Sequence, residues 1–154
     1  MPEAPELHLE RVLEASYESL EGVLREGPAG WLPEFGAEDG RLTSVLRWQQ
    51  GGGWIDRRID VHVGPVQRFA YGVTVRVEWK AARHPGLYPE FEGHLRLERR
   101  DARRSVLRLD GRYAPPAGQI GAAVDRVVMH RVAETSVEDF FKRVAAGLMA
   151  AASP

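Results

Sequence analysis

The sequence contains no cysteine. That absence removes disulfides, thiolate metal sites and a cysteine nucleophile, and it fits a reducing compartment. It also lacks any excess of one charge. The 21 Lys and Arg residues against 22 Asp and Glu leave a formal net charge of −1 with histidine neutral. Nothing in that balance points to nucleic acid or an anionic membrane as a partner. No window approaches the ~18 apolar residues of a membrane span. The first fourteen residues carry Glu3, Glu6 and Glu10 and no apolar run, so no signal peptide is read there. Several motifs are missing as well. Gly51-Gly52-Gly53 is not followed by Gly-Lys-Ser/Thr, and neither Gly-x-Ser-x-Gly nor His-Glu-x-x-His occurs. Phosphate-loop, hydrolase-elbow and zinc-peptidase chemistry therefore find no support, and no cofactor is expected.

What is present is ordinary globular material: 154 residues, 44% hydrophobic and 28% charged. That length suits one domain over residues 1–154, ordered from about residue 6 to 149, and is enough to bury a core. The expected setting is soluble and cytoplasmic; oligomeric state is left open.

Leu7, Leu9, Arg11 and Leu13 alternate with His8, Glu10, Val12 and Glu14, as in a half-buried strand. Ser16, placed before Leu20, Val23 and Leu24, predicts a short helix from Tyr17 to Glu26, stopped by Gly27-Pro28. Trp31, Leu32 and Phe35 predict a second helical turn, and residues 36–40 read as a loop. Strands follow at Leu42–Trp48, Ile55–Val63, Phe69–Trp79, Phe91–Leu97 and Leu107–Tyr113, with a Gly51-Gly52-Gly53 turn between the first two. That makes six strands, or seven if Gly64-Pro65 divides one, since proline cannot donate to a central ladder. One face of each strand is apolar and the other wet, as in an antiparallel sheet covered on one side.

The last third supplies the cover. Ile120, Val124, Val127, Val128 and Val132 form one helical stripe; Val137, Phe140, Phe141, Val144 and Leu148 form another. At about 100° per residue the two stripes are out of phase. Either the helix kinks near Thr135, where Thr135/Glu138 or Ser136/Asp139 could form an internal capping box, or its halves bury against different partners. The second arrangement is the expectation, with the early half closing one end of the sheet.

The run Gly111-x-Tyr113-x-Pro115-Pro116-x-Gly118-x-x-Gly121, then Asp125-Arg126, His130-Arg131-Val132-Ala133 and Phe140, resembles bacterial members of the SRPBCC, or START-like, superfamily. Strand, two short helices, strand meander and long C-terminal helix follow the same order. The resemblance implies an α+β helix-grip fold, in which a curved antiparallel sheet grips the C-terminal helix around a hydrophobic cavity. The superfamily includes lipid-transfer domains, pollen-allergen-like proteins and polyketide cyclases. No catalytic set carries over residue by residue.

Three functions follow as expectations. The first is binding or transport of a small hydrophobic molecule, lined by Val73, Val75, Val77, Trp79, Leu95, Leu109, Tyr113, Val128 and Phe141, with Arg57, Tyr71 and His130 as polar anchors. Arg11 and Arg57 share the inward parity, and the competing reading is that both reach water near strand ends. The second is a cyclase- or dehydratase-type enzyme pairing His130 with Tyr113 or Asp125. The third is an interaction module with a collapsed cavity and exposed Trp31, Trp54 or Leu87. Residues 83–89 are a candidate lid. Asp56, Asp60 and His62 lie beside Arg58, a poor setting for a cation, so no metal is expected. Arg99, Arg100, Arg103 and Arg104 read as a solvated turn around Asp101.

Overall fold

The computed structural model describes residues 5–80, 89–114 and 126–153, with the Arg126 side chain excepted. The expected entry of the C-terminal helix at Ile120, the Asp125–Arg126 pair and most of the candidate lid lie outside the described residues.

Strand β1, Glu6–Leu13, leads into α1, Tyr17–Glu26. The helix starts where expected because Ser16 Oγ accepts from the Ser19 N–H at 3.3 Å, satisfying one of the free donors of the first turn. A 3-10 turn, Pro28–Gly30, buries the following Trp31 and Leu32. Trp31 is thus a core residue rather than a partner surface, being buried in the main hydrophobic cluster. Next come β2, Gly36–Glu38; β3, Arg41–Gln50; β4, Gly53–Val63; β5, Gln67–Phe69; β6, Gly72–Lys80; β7, Glu90–Arg99; and β8, Ser105–Ala114. Helix α2, Arg126–Ala152, follows.

The described strands form one antiparallel sheet, curled into a half-barrel, in the order β1-β8-β7-β6-β4-β3-β2, with β5 paired to β6. Gly64-Pro65 does divide a strand: β4 pairs with the end of β6 and β5 with its beginning. Strand β2 is new. Residues 36–40, expected as a loop, pair in part with β3, with Gly36 opposite Thr43 and Glu38 opposite Arg41. Three residues dominated by turn formers carry no alternation from which a strand can be read. Gly51 and Gly52 connect β3 to β4 with φ of 61° and 82°, the left-handed pair that a two-residue hairpin loop requires.

Two inward expectations fail for reasons of sheet extent. Tyr71 is 77% exposed because it sits in the two-residue loop between Phe69 and Gly72, where strand parity no longer applies. Arg57 is also exposed and donates to its neighbour's carbonyl, Asp56 O, at 2.9 Å. Its strand meets β6 only from Asp60 onward, so the outer half of β3–β4 projects as a two-stranded ribbon. Such ribbons twist strongly, and an inward parity there need not mean burial. Arg11 is exposed too.

Helix α2 runs unbroken through Thr135. Thr135 and Ser136 form no cap; Thr135 Oγ1 donates to Arg131 O at 2.9 Å and Ser136 Oγ to Ala133 O at 2.7 Å. Hydroxyls that fold back on the preceding turn satisfy themselves within the helix. The phase conflict resolves because the buried stripe is continuous: partly buried Met129, then Ala133, Val137, Phe140, Val144 and Leu148. Val128 falls off that stripe and is 46% exposed, which corrects its assignment to the interior. Small Ala133 and Ser136 at the interface hid the true register.

The helix is held at three heights. Phe140 packs on Trp79, with ring centroids 4.6 Å apart. Arg143 binds Asp139 through Nε at 2.6 Å and reaches Val45 O of β3 through Nη2 at 2.6 Å. Gly147 lies against the Trp31 backbone, where an added Cβ would stand 2.9 Å from the carbonyl oxygen. Gly147→Ala should therefore lose about 1–3 kcal/mol to overpacking, against the roughly 1 kcal/mol that alanine ordinarily brings to a helix. Gly22→Ala in α1, where an added Cβ meets nothing within 4 Å, should show the ordinary gain. Urea midpoints that rise for both variants would contradict the close approach.

Candidate functional site

The inward end of the sheet collects aromatics in one row. Strand register sets Val61 opposite Trp79, Trp79 opposite Phe91 and Phe91 opposite Tyr113, across β4, β6, β7 and β8. Trp79 is wholly buried, stacked on Phe91 at 4.9 Å and met from above by Phe140. Its indole N–H is not stranded, because Nε1 donates to Pro89 O at 3.1 Å. The Phe91 ring fits because Gly93 and Gly111 stand opposite each other beside it. A Cβ on either would lie 2.8 or 2.5 Å from Phe91 Cζ. Burying polar indole and phenol tips requires such partners.

Tyr113, 4% exposed, closes the row. Its hydroxyl donates to Glu134 Oε1 on α2 at 2.9 Å, and its ring lies edge-on to His130, 6.1 Å between centroids. Burial, and then the Glu134 carboxylate that accepts its proton, push the phenol up to about 12. His130 and Glu134 stand one helical turn apart, so both face β8. The phenol therefore bonds to Glu134, whereas the expected pairing was with His130. Glu134 went unread, although the His130-x-x-x-Glu134 spacing marks it as a neighbour of His130.

A pocket of ≈ 200 Å³ opens at this end of the sheet, lined by Trp79, Lys80, Glu90, Phe91, Glu92, Arg112, Tyr113 and Ala114. By strand alternation the three aromatics belong to the inner side and the remaining five to the outer side, so the pocket lies on the rim. Below it, Val73, Val75, Val77, Leu95 and Leu109 are buried in the sheet face, with Phe141 buried on the helix. Among the described residues, the space between β6 and α2 is occupied by the Trp79–Phe140 contact.

Other candidates take structural partners. Asp56 pairs with Arg47 at 3.2 Å and Asp60 with Arg41 at 3.6 Å. Asp101 accepts from the Arg103 and Arg104 N–H groups, both at 2.9 Å, which builds the turn. Arg99 binds Glu18 and lies over the Tyr17 ring. Trp54 is 62% exposed, as one expectation had it; Leu87 lies outside the described residues.

No family model matches the sequence, and no curated protein matches it. Solved structures do. The Zhui aromatase/cyclase from Streptomyces sp. R1128 superposes with a TM-score of 0.57 at 15% identity, over 96% of this chain and 94% of that one. A START superfamily protein from Mycobacterium smegmatis gives 0.50 at 13% identity, over 94% of each chain. Human StAR-related lipid transfer protein 5 gives 0.51 at 12% identity, over 96% of this chain and 74% of that one. The chain shares the START-like, helix-grip fold of these structures. Identities this low establish the fold and leave activity to the site.

The Tyr113–Glu134 pair has a measurable signature. Its folded-state value near 12 lies above the ordinary 10, so its stabilisation is complete below pH 10 and disappears as pH climbs through about 12. Between those limits the melting temperature of the wild type should fall more steeply than that of Tyr113→Phe. Tyr17, also raised to about 12, contributes equally to both proteins. Parallel slopes in calorimetry would show that the pair is not coupled to folding.

Proposed function

We propose that the protein binds a small, flat, largely apolar molecule at the aromatic end of the grip and does not transform it. The observation that carries this reading is the Trp79–Phe91–Tyr113 row, whose members line the rim pocket and whose last ring carries one polar bond, Tyr113 to Glu134. Apolar and aromatic walls with few, placed polar groups are how small-molecule sites are built. The ≈ 200 Å³ volume is below the usual range for drug-sized ligands, which favours one or two fused rings over a long acyl chain. Val73, Val75, Val77, Leu95, Leu109 and Phe141 support the row from below, and His130 stands beside it. The likeness to a structure described as an aromatase/cyclase and to one described as a lipid transfer protein supports an apolar ligand as a class.

Catalysis of the cyclase or dehydratase type is the alternative. It is disfavoured because Tyr113 holds its proton up to about 12, far from the neutral values that suit a general acid or base. An interaction module with a collapsed interior is the other alternative, and the Trp79–Phe140 contact is the observation in its favour.

A panel of two-ring aromatics, fatty acids and isoprenoids, read by melting temperature and tryptophan fluorescence, separates the three. Saturable binding of the two-ring compounds, weakened about tenfold or more in Phe91→Ala, is the expected result; that loss corresponds to about 1.4 kcal/mol. No shift with any compound would leave the interaction module standing, and recovery of a changed product would favour the enzyme.

A further inference from the structure

We infer that the protein carries a second ligand site, between the β3–β4 ribbon and an exposed face of α2, and that this site takes a flat aromatic carboxylate. A cleft of ≈ 470 Å³ lies there, within the usual range for small-molecule sites and more than twice the volume of the rim pocket. The two share no lining residue, so the second site stands or falls separately from the binding reading above. One wall is the end of the ribbon, where Gln49 stands opposite Trp54 and strand pairing sets both on one face. Trp54 is 62% exposed, whereas Trp31, Trp48 and Trp79 are all buried. An open indole on the wall of a cleft is a stacking surface for another flat ring.

The other wall is a single face of α2. Arg131, Thr135, Glu138 and Lys142 follow one another at helical spacing, with Asp139 beside them. Asp139 is neutralised by Arg143, Nε to Oδ2 at 2.6 Å, and Thr135 is bonded back to Arg131 O. That leaves two cations, Arg131 and Lys142, against one carboxylate, Glu138. Lys142 stands one turn after Glu138, the order in which such a pair attracts best. Arg131 lies about 10.5 Å along the axis from Glu138, and it makes no ion pair among the described residues. Glu134, one turn on from Arg131, is turned to Tyr113. The surplus positive charge of the cleft therefore lies at its Arg131 end. A guanidinium grips a carboxylate through two parallel N–H donors, a geometry that an ammonium lacks. Trp54 then takes the ring of the ligand and Arg131 its acid group.

The tryptophans supply the readout. Each gives one indole N–H signal in a heteronuclear NMR spectrum, and Trp54→Phe identifies that of Trp54. Titrated at neutral pH, 2-naphthoate should move the Trp54 signal saturably, with an affinity at least about tenfold above that of 2-naphthol, which has the same rings and no acid group. Arg131→Gln, a change at an exposed side chain outside the core, should weaken naphthoate about tenfold and leave naphthol as it was. A Trp54 signal that naphthoate does not move, naphthol bound there as tightly as naphthoate, or an affinity unchanged in Arg131→Gln would each overturn the inference. Naphthoate acting on the Trp79 signal alone would overturn it too, while supporting the binding reading at the rim.

Discussion

The contact between Trp79 and Phe140 is the one on which the rest of the molecule depends. An antiparallel sheet with one apolar face must bury that face, and here the long helix α2 is the main cover, with α1 packed beside it. Trp79 is the largest of the wholly buried side chains of the sheet, and Phe140 that of the helix. Their meeting brings helix and sheet into direct contact midway along α2. Removing either ring would leave a void that neighbouring aliphatics cannot fill without moving; such truncations cost about 3–5 kcal/mol. The same contact consumes interior volume. It pushes any ligand site from the middle of the grip toward its end, where the row finishes in Tyr113.

Small residues make that arrangement possible. Gly93 and Gly111 leave space for the Phe91 ring, Ala133 and Ser136 let α2 approach, and Gly147 meets the Trp31 backbone. Their contribution comes from what they lack, and hydrophobic patterning registers it poorly. The valines of α2 are the clearest case: Val127 and Val128 dominate the sequence pattern, yet both are exposed, while Ala133 is wholly buried.

Much of the fold was legible because period-two alternation is a direct consequence of the pleat. It located six strands and, through Gly64-Pro65, the division of a seventh. It could not report how far each strand has neighbours. That is why Arg57, on a ribbon beyond β6, and Tyr71, in a hairpin loop, were assigned inward by parity and stand in solvent. The candidate site was legible in its aromatics and in His130 but not in its bond. Tyr113 and Glu134 are separated by a stretch of chain and a change of secondary structure, and no local rule connects residue 113 to residue 134. The helical spacing of His130 and Glu134 was the available signal.

The site is set from a distance as much as by its own residues. Glu134 lies nine residues before Arg143, about 13.5 Å along the axis. Arg143 ties α2 to the β3 carbonyl of Val45, and Gly147 one turn further ties it to Trp31. An unbroken helix transmits both anchors. Sliding α2 by one residue would move Glu134 about 1.5 Å along the axis and rotate it by about 100° away from β8, so the 2.9 Å bond to Tyr113 would be lost. The back-bonded Thr135 and Ser136 sit between anchor and site, their hydroxyls satisfied within a helix that stays unbroken there. In this fold, then, the reach of the sheet's far edge decides which helix residue meets the aromatic row. Two chains can share the whole grip and still present different chemistry at its end.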